Sequence, residues 1–104
     1  FLNVNSIPIL FAVMTLPAIT ANNIGMEFTF RNTGADGNNI ITLSPASSDA
    51  FNGTIAAVQA GGVVDKDLIN TKATANKGDW CTIKAIALTA WYITGGDGVW
   101  ASES

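Results

Sequence analysis

The chain has 104 residues, 48% hydrophobic and only 12% charged, which is material for one domain with one core and excludes a second. A net charge of −3 with five scattered cations, Arg31, Lys66, Lys72, Lys77 and Lys84, excludes the clustered positive surface that binding to DNA or RNA requires. There is no histidine, which removes the commonest acid–base group and the commonest metal ligand, and the single cysteine, Cys81, has no partner in the chain for a disulfide.

In chain order, the first element is the apolar stretch Ile7-Pro8-Ile9-Leu10-Phe11-Ala12-Val13-Met14-Thr15-Leu16-Pro17. No basic segment precedes it and no small-x-small cleavage site follows it, so it reads as a buried strand between Pro8 and Pro17 and not as a targeting segment. The eight residues between the prolines are far fewer than the ~20 a helix needs to span a bilayer, so no membrane partner is expected. Residues 1–9 ahead of it suit an extended N-terminal arm.

Met26-Glu27-Phe28-Thr29-Phe30-Arg31 alternates strictly, apolar on one face and polar on the other, as a half-buried strand does. Asn32–Asn39, with Asp36-Gly37, reads as a turn into a second strand, Ile40–Ser44, the two forming a hairpin or near-hairpin that Pro45 ends. Ser47–Gly53 is polar around Phe51. The Ala-rich segment Thr54–Gly62 suits a helical turn, with Gly61-Gly62 stopping it. Asp65–Asn76 is polar apart from Leu68 and Ile69, and Gly78-Asp79 turns the chain. Trp80–Ile86 and Leu88–Thr94 are two late strands, and Gly95–Gly98 turns before a terminal Val99-Trp100-Ala101. About six strands with frequent turns predict an all-β fold, a small antiparallel β-sandwich or barrel forming one domain over residues 1–104.

The residues that carry chemistry elsewhere have structural explanations here. Most of the eight acids fall in predicted turns or near the chain ends, where Asp bonds local backbone. Asp36-Gly37-Asn38 lacks the spacing and distal glutamate of a calcium loop, so no metal is expected. Cys81 has no histidine to activate it and reads as a structural thiol. No pattern points to catalysis, so the chain is expected not to be an enzyme and to use no cofactor. Trp80, Trp91, Tyr92 and Trp100 are aromatic enough to form a sugar-stacking platform, although Trp80 and Trp91 lie in apolar strands where a core role is simpler. With so little charge, neutral side chains must cover the exterior or part of it must be buried against another chain. The second is preferred here.

The segments Asn32-Thr33-Gly34-Ala35-Asp36-Gly37, Ile41-Thr42-Leu43-Ser44-Pro45, Asp65–Ala75, Lys77-Gly78-Asp79, Trp91-Tyr92-Ile93-Thr94 and Gly98-Val99-Trp100-Ala101, in that order, resemble a module of tailed-phage virion proteins. Met14-Thr15-Leu16-Pro17-Ala18 is similar to the sequence that often opens it. The resemblance covers about four-fifths of the chain. It implies a structural protein at the phage particle surface, one of the capsid decoration (cement) or head or tail fibre segments that usually assemble as trimers. The implied partners are sister subunits and the major capsid protein or other virion proteins, or host surface glycan if the chain is a receptor-binding module. The apolar Gly61, Gly62, Val63 and Val64 are then the candidate subunit interface, and Trp80, Trp91, Tyr92 and Trp100 the candidate carbohydrate-stacking set of the alternative.

Overall fold

A computed structural model describes residues 3–9, 12–37, 40–55, 58–61 and 63–103. Among them lie ten strands: β1 Asn3–Ile9, β2 Ala12–Thr15, β3 Glu27–Asn32, β4 Ile41–Ser44, β5 Ala50–Ile55, β6 Val58–Gly61, β7 Leu68–Asn70, β8 Trp80–Ala87, β9 Ala90–Asp97 and β10 Trp100–Ser102. A single 3-10 turn occupies Lys72–Thr74. The strands form two packed sheets, one of six in the order β1-β3-β8-β9-β5-β6 and one of four in the order β10-β7-β4-β2. The all-β sandwich expectation holds. Pairing is mixed, since β1/β3, β2/β4 and β5/β9 run parallel beside five antiparallel pairs among the described residues.

Register decides what is inside. In β3 the expected alternation puts Phe28 and Phe30 inward, level with Ile83 and Cys81 of β8. Ile83 pairs with Ile93 and Ala85 with Trp91 of β9, and Trp91 is level with Phe51 of β5. The four-stranded sheet supplies Ile41, Leu43, Leu68 and Trp100, and the segment between β2 and β3 adds Leu16, Ile19 and Met26. The rings of Phe28 and Trp91 meet at 5.8 Å in a tilted arrangement.

Four local expectations are corrected. Ile7–Pro17 is not one buried strand: its residues divide between β1 in one sheet and β2 in the other, and Val13 is 65% exposed. Both are edge strands, which explains why Pro8, lacking an N–H, is tolerated inside β1. Asn3–Ile9, within the segment expected as an arm, pairs along β3. β3 and β4 are not a hairpin, because the Asp36-Gly37 segment carries the chain from one sheet to the other. The Ala-rich segment is not helical. It forms the β5/β6 hairpin, with residues 56–57 outside the described residues. Antiparallel pairing of β6 with β5 overrides the helical preference of alanine.

Candidate functional site

Four stretches of the sequence, Asn32–Gly37, Asp65–Ala75, Lys77–Asp79 and Gly98–Ala101, meet at one end of the sandwich. Alternation in β3 continues past Phe30 to place Asn32 inward, and in β7 Leu68 is followed two residues later by the inward Asn70. Asn32 Nδ2 donates to Asn70 Oδ1 at 2.8 Å. Asn70 Nδ2 in turn donates to Asp79 Oδ2 at 3.1 Å and to the Val99 carbonyl at 3.0 Å. Asp79 Oδ2 also accepts the Asn76 N–H at 2.9 Å, and Asn32 Oδ1 accepts the Gly34 N–H at 2.7 Å. Main-chain bonds from Asn32 N to Asp79 O and from Gly78 N to Asn32 O close the ring, each 2.7 Å. Asn32 ends β3 and Asp79 precedes β8 in the six-stranded sheet, and Asn70 ends β7 and Val99 precedes β10 in the other. The network therefore fastens the two sheets together. Nearby, Asp36 Oδ1 accepts the Lys77 N–H at 2.7 Å.

Asp49 does the same for two other loops. It is buried, its Oδ2 accepts the Ile19 N–H at 3.1 Å, and its carbonyl accepts the Asp65 N–H at 2.9 Å. Asp79 is thus not the surface turn acid that its place after Gly78 implied, whereas Asp49 had stood apart from the predicted turns. The only hint was the position of Asn32 and Asn70 on the apolar side of alternating strands.

The four aromatic residues separate. Trp91 and Trp100 are both 0% exposed, so neither ring can stack on a sugar. Trp100 Nε1 donates to the Asp97 carbonyl at 3.0 Å, whereas Trp91 Nε1 has no partner among the described residues. Trp80 and Tyr92 remain on the outward face of the six-stranded sheet. Trp80 lies across Gly95, whose missing side chain leaves room for the indole, and the Arg31 guanidinium stands 6.0 Å from its ring. Tyr92 lies in a cross-strand row with Glu27, Lys84 and Asn52. The four-membered platform is reduced to one half-buried tryptophan and one exposed tyrosine.

Of the candidate interface, Gly61 ends β6 opposite Asn52, and Gly62 lies outside the described residues. Val63 and Val64 are 57% and 56% exposed. They stand on a short loop held in place because Asp65 takes a left-handed backbone (φ 61°) and bonds to Asp49. Two β-branched apolar side chains are therefore presented to solvent on a fixed support.

Cys81 is buried against the aromatic core, and burial pushes its thiol up to about 12. The thiolate is absent at neutral pH, so native protein is expected to react with disulfide reagents only after unfolding, which a thiol titration with and without denaturant checks. Below pH 9 the folded and unfolded thiols are both protonated and the contribution is constant. Between pH 9 and 12 only the unfolded thiol ionises, so stability falls as pH rises, by up to about 1.4 kcal/mol per pH unit. Denaturant melts at pH 8 and pH 10.5 are expected to show this fall reduced in Cys81→Ala.

Among the described residues no three Cys, Asp or Glu side chains gather as a metal site needs. No protein-family model, no curated protein and no solved structure matches this chain.

Proposed function

We propose that this protein is a virion structural protein, a decoration protein that cements the head of a phage through contacts between β-sandwich subunits. The observation that carries this reading is the exposed Val63–Val64 pair on its pinned loop, in a chain whose surface has few charges to keep copies apart. Four of the module-like segments, Asn32–Gly37, Asp65–Ala75, Lys77–Asp79 and Gly98–Ala101, support it too, because they share one network that holds the two sheets together. Its mechanism is cumulative burial. Each contact contributes ~25 cal/mol per Å2 of apolar surface covered, and repetition over a symmetric shell multiplies it. The assembly expected is a homotrimer seated on the major capsid protein, at the particle surface.

Gold-labelled antibody against this chain, applied to whole particles, tests the reading. Label over the head supports it, and label confined to tail or fibres sinks it. Replacing Val63 and Val64 together by Asp is expected to abolish incorporation into particles without unfolding the chain, since both side chains are largely solvent-exposed. Incorporation at the unmodified level would remove this loop from the contact.

A second reading is a fibre or receptor-binding module for host surface carbohydrate. It is favoured by the shared outward placement of Trp80 and Tyr92, flanked by Arg31, Asp97, Lys84 and Asn52. Tail label, together with a change in Trp80 emission on adding host polysaccharide, would promote it.

A further inference from the structure

An aspartate or asparagine followed by glycine occurs at Asp36-Gly37, Asn52-Gly53 and Asp97-Gly98. Such a pair can cyclise on itself, because glycine has no side chain to keep the preceding carboxyl or amide carbon away from its main-chain nitrogen. Which pair does so depends on whether the fold holds that nitrogen and carbon together or apart. At Asp36-Gly37 they are held apart: Gly37 N donates to the Ala75 carbonyl at 2.6 Å, and Asp36 Oδ1 accepts the Lys77 N–H at 2.7 Å. Asn52 and Gly53 lie inside β5, paired with Gly61 and Ala60 of β6, and Asn52 is level with Tyr92 of β9 on the other side. Cyclisation there requires the main chain to turn out of a strand that has a neighbour on each side. At Asp97-Gly98 the opposite holds. Gly98 N donates to Oδ1 of Asp97 itself at 2.9 Å, Asp97 is exposed, and the pair sits where β9 turns into β10.

We propose that Asp97-Gly98 is a site of spontaneous isomerisation in the folded protein. Gly98 N attacks Asp97 Cγ, and an N–Cγ bond forms. One carboxylate oxygen leaves as water, taking the amide proton and a proton from solvent, and a succinimide ring closes. Water then adds at the Asp97 main-chain carbonyl carbon, and the bond from that carbon to Gly98 N breaks. The product is isoaspartate, unchanged in composition, with the main chain rerouted through Cβ and Cγ and longer by one atom. Nothing is oxidised or reduced, and water is the only co-reactant. The exposure of Asp97 lets that water leave and return.

The place gives the reaction a consequence. Gly98 lies so close to the Asp79 carboxylate that a Cβ on it would fall 2.6 Å from Oδ1. Val99, next in the chain, accepts the Asn70 amide, and the Asp97 carbonyl accepts the Trp100 indole N–H. In the isomer that carbonyl carbon leaves the main chain as a free carboxylate. The extra main-chain atom moves the turn away from the network that joins the sheets, so the isomerised chain is less stable. The site is a slow timer on the closure of this end of the sandwich, whether or not the chain decorates a particle.

Peptide mapping of the purified chain, aged at neutral pH both folded and in denaturant, tests the proposal. Trypsin, cutting after Arg31, Lys66 and Lys84, leaves Asp36 and Asn52 within residues 32–66 and Asp97 within residues 85–104. Electron-transfer fragmentation distinguishes isoaspartate from aspartate. In denaturant Asn52 is expected to react first, because a neutral amide carbon is a better electrophile than an ionised carboxylate. In the folded protein the order is expected to reverse, with Asp97 modified about tenfold or more ahead of the other two. Aged wild type is expected to melt lower than fresh protein. Asp97→Ser keeps an oxygen for the Gly98 N–H but has no carboxyl to cyclise, and its melting is expected not to change with age. Folded protein in which Asp36 or Asn52 keeps pace with Asp97 overturns the proposal, as does an Asp97 that stays unmodified over the time in which it reacts in denaturant. Isomerised protein that melts like fresh protein, or an equal fall in aged Asp97→Ser, overturns the timer.

Discussion

Asp79→Ala is expected to lower the unfolding free energy by about 2–4 kcal/mol, a large share of the ~5–15 kcal/mol available to a domain of this kind. Asp79 is 6% exposed, and one of its oxygens accepts from both the Asn70 amide and the Asn76 main chain. Hydrogen bonds to a charged acceptor contribute about 1.5–3 kcal/mol each, and a buried donor left without a partner loses its hydration as well. The Asn76 donor is near solvent and recovers part of its loss through water. The Asn70 donor is enclosed and does not. Asn70 also bonds Asn32, so losing its anchor loosens the junction between the two sheets and not merely one turn. Urea denaturation checks this, with an unchanged m-value marking a pure stability effect. Asp79→Asn keeps one acceptor oxygen and is expected to cost about 1 kcal/mol. An Asp79→Ala protein within 1 kcal/mol of wild type would show that the network contributes geometry without net stability.

The same cluster shows which features could be read from the residues. Strict alternation from Met26 to Arg31 identified β3, and its parity predicted Phe28 and Phe30 inside. The late strands were legible because Gly78 and Gly98 bracket them, but the turn expected over Gly95–Gly98 begins only at Gly98: Gly95 and Gly96 lie within β9, opposite Thr82 and Cys81. What could not be read was which sheet a strand joins. Ile7–Pro17 is uniformly apolar, so nothing in its pattern marks the passage from one sheet to the other, and parallel pairing leaves no turn signature between partners distant in sequence. The tryptophans were ambiguous for a related reason. In Trp80-Cys81-Thr82-Ile83 both alternating sets contain a large apolar residue, and only the pairing of Cys81 with Phe30 turns Trp80 outward. Val63 and Val64 stood out as apolar residues in a loop, but their support by Asp49 involves a carbonyl fourteen or more residues away. No local pattern encodes that. Asp79 was hidden by its position after Gly78, where Asp ordinarily serves a surface turn.

Gly98→Ala is expected to be the most damaging single-methyl change in the chain, costing about 4 kcal/mol or more. Two effects combine. Gly98 has φ 100°, a conformation that an L residue with a Cβ adopts only under strain, at about 1–2 kcal/mol. The added Cβ would also fall 2.6 Å from Asp79 Oδ1, and nearer still to the carboxyl carbon, where no side chain fits. The carboxylate cannot swing aside freely, because its other oxygen is tied to Asn70 and Asn76. Steric relief therefore requires breaking those bonds or shifting the Asp97–Trp100 turn, which also carries the Trp100 indole bond to Asp97. Combining Gly98→Ala with Asp79→Ala separates the effects. Truncating the carboxylate removes the clash and leaves only the backbone strain, so the double variant is expected to be about 2 kcal/mol more stable than the sum of the two single changes predicts. Additive losses would mean that the strained backbone alone requires the glycine. Coupling of the expected size would mean that Gly98 is there to let the chain close over a buried carboxylate, and that these two residues, forming one unit across nineteen positions of sequence, hold the end of the sandwich shut.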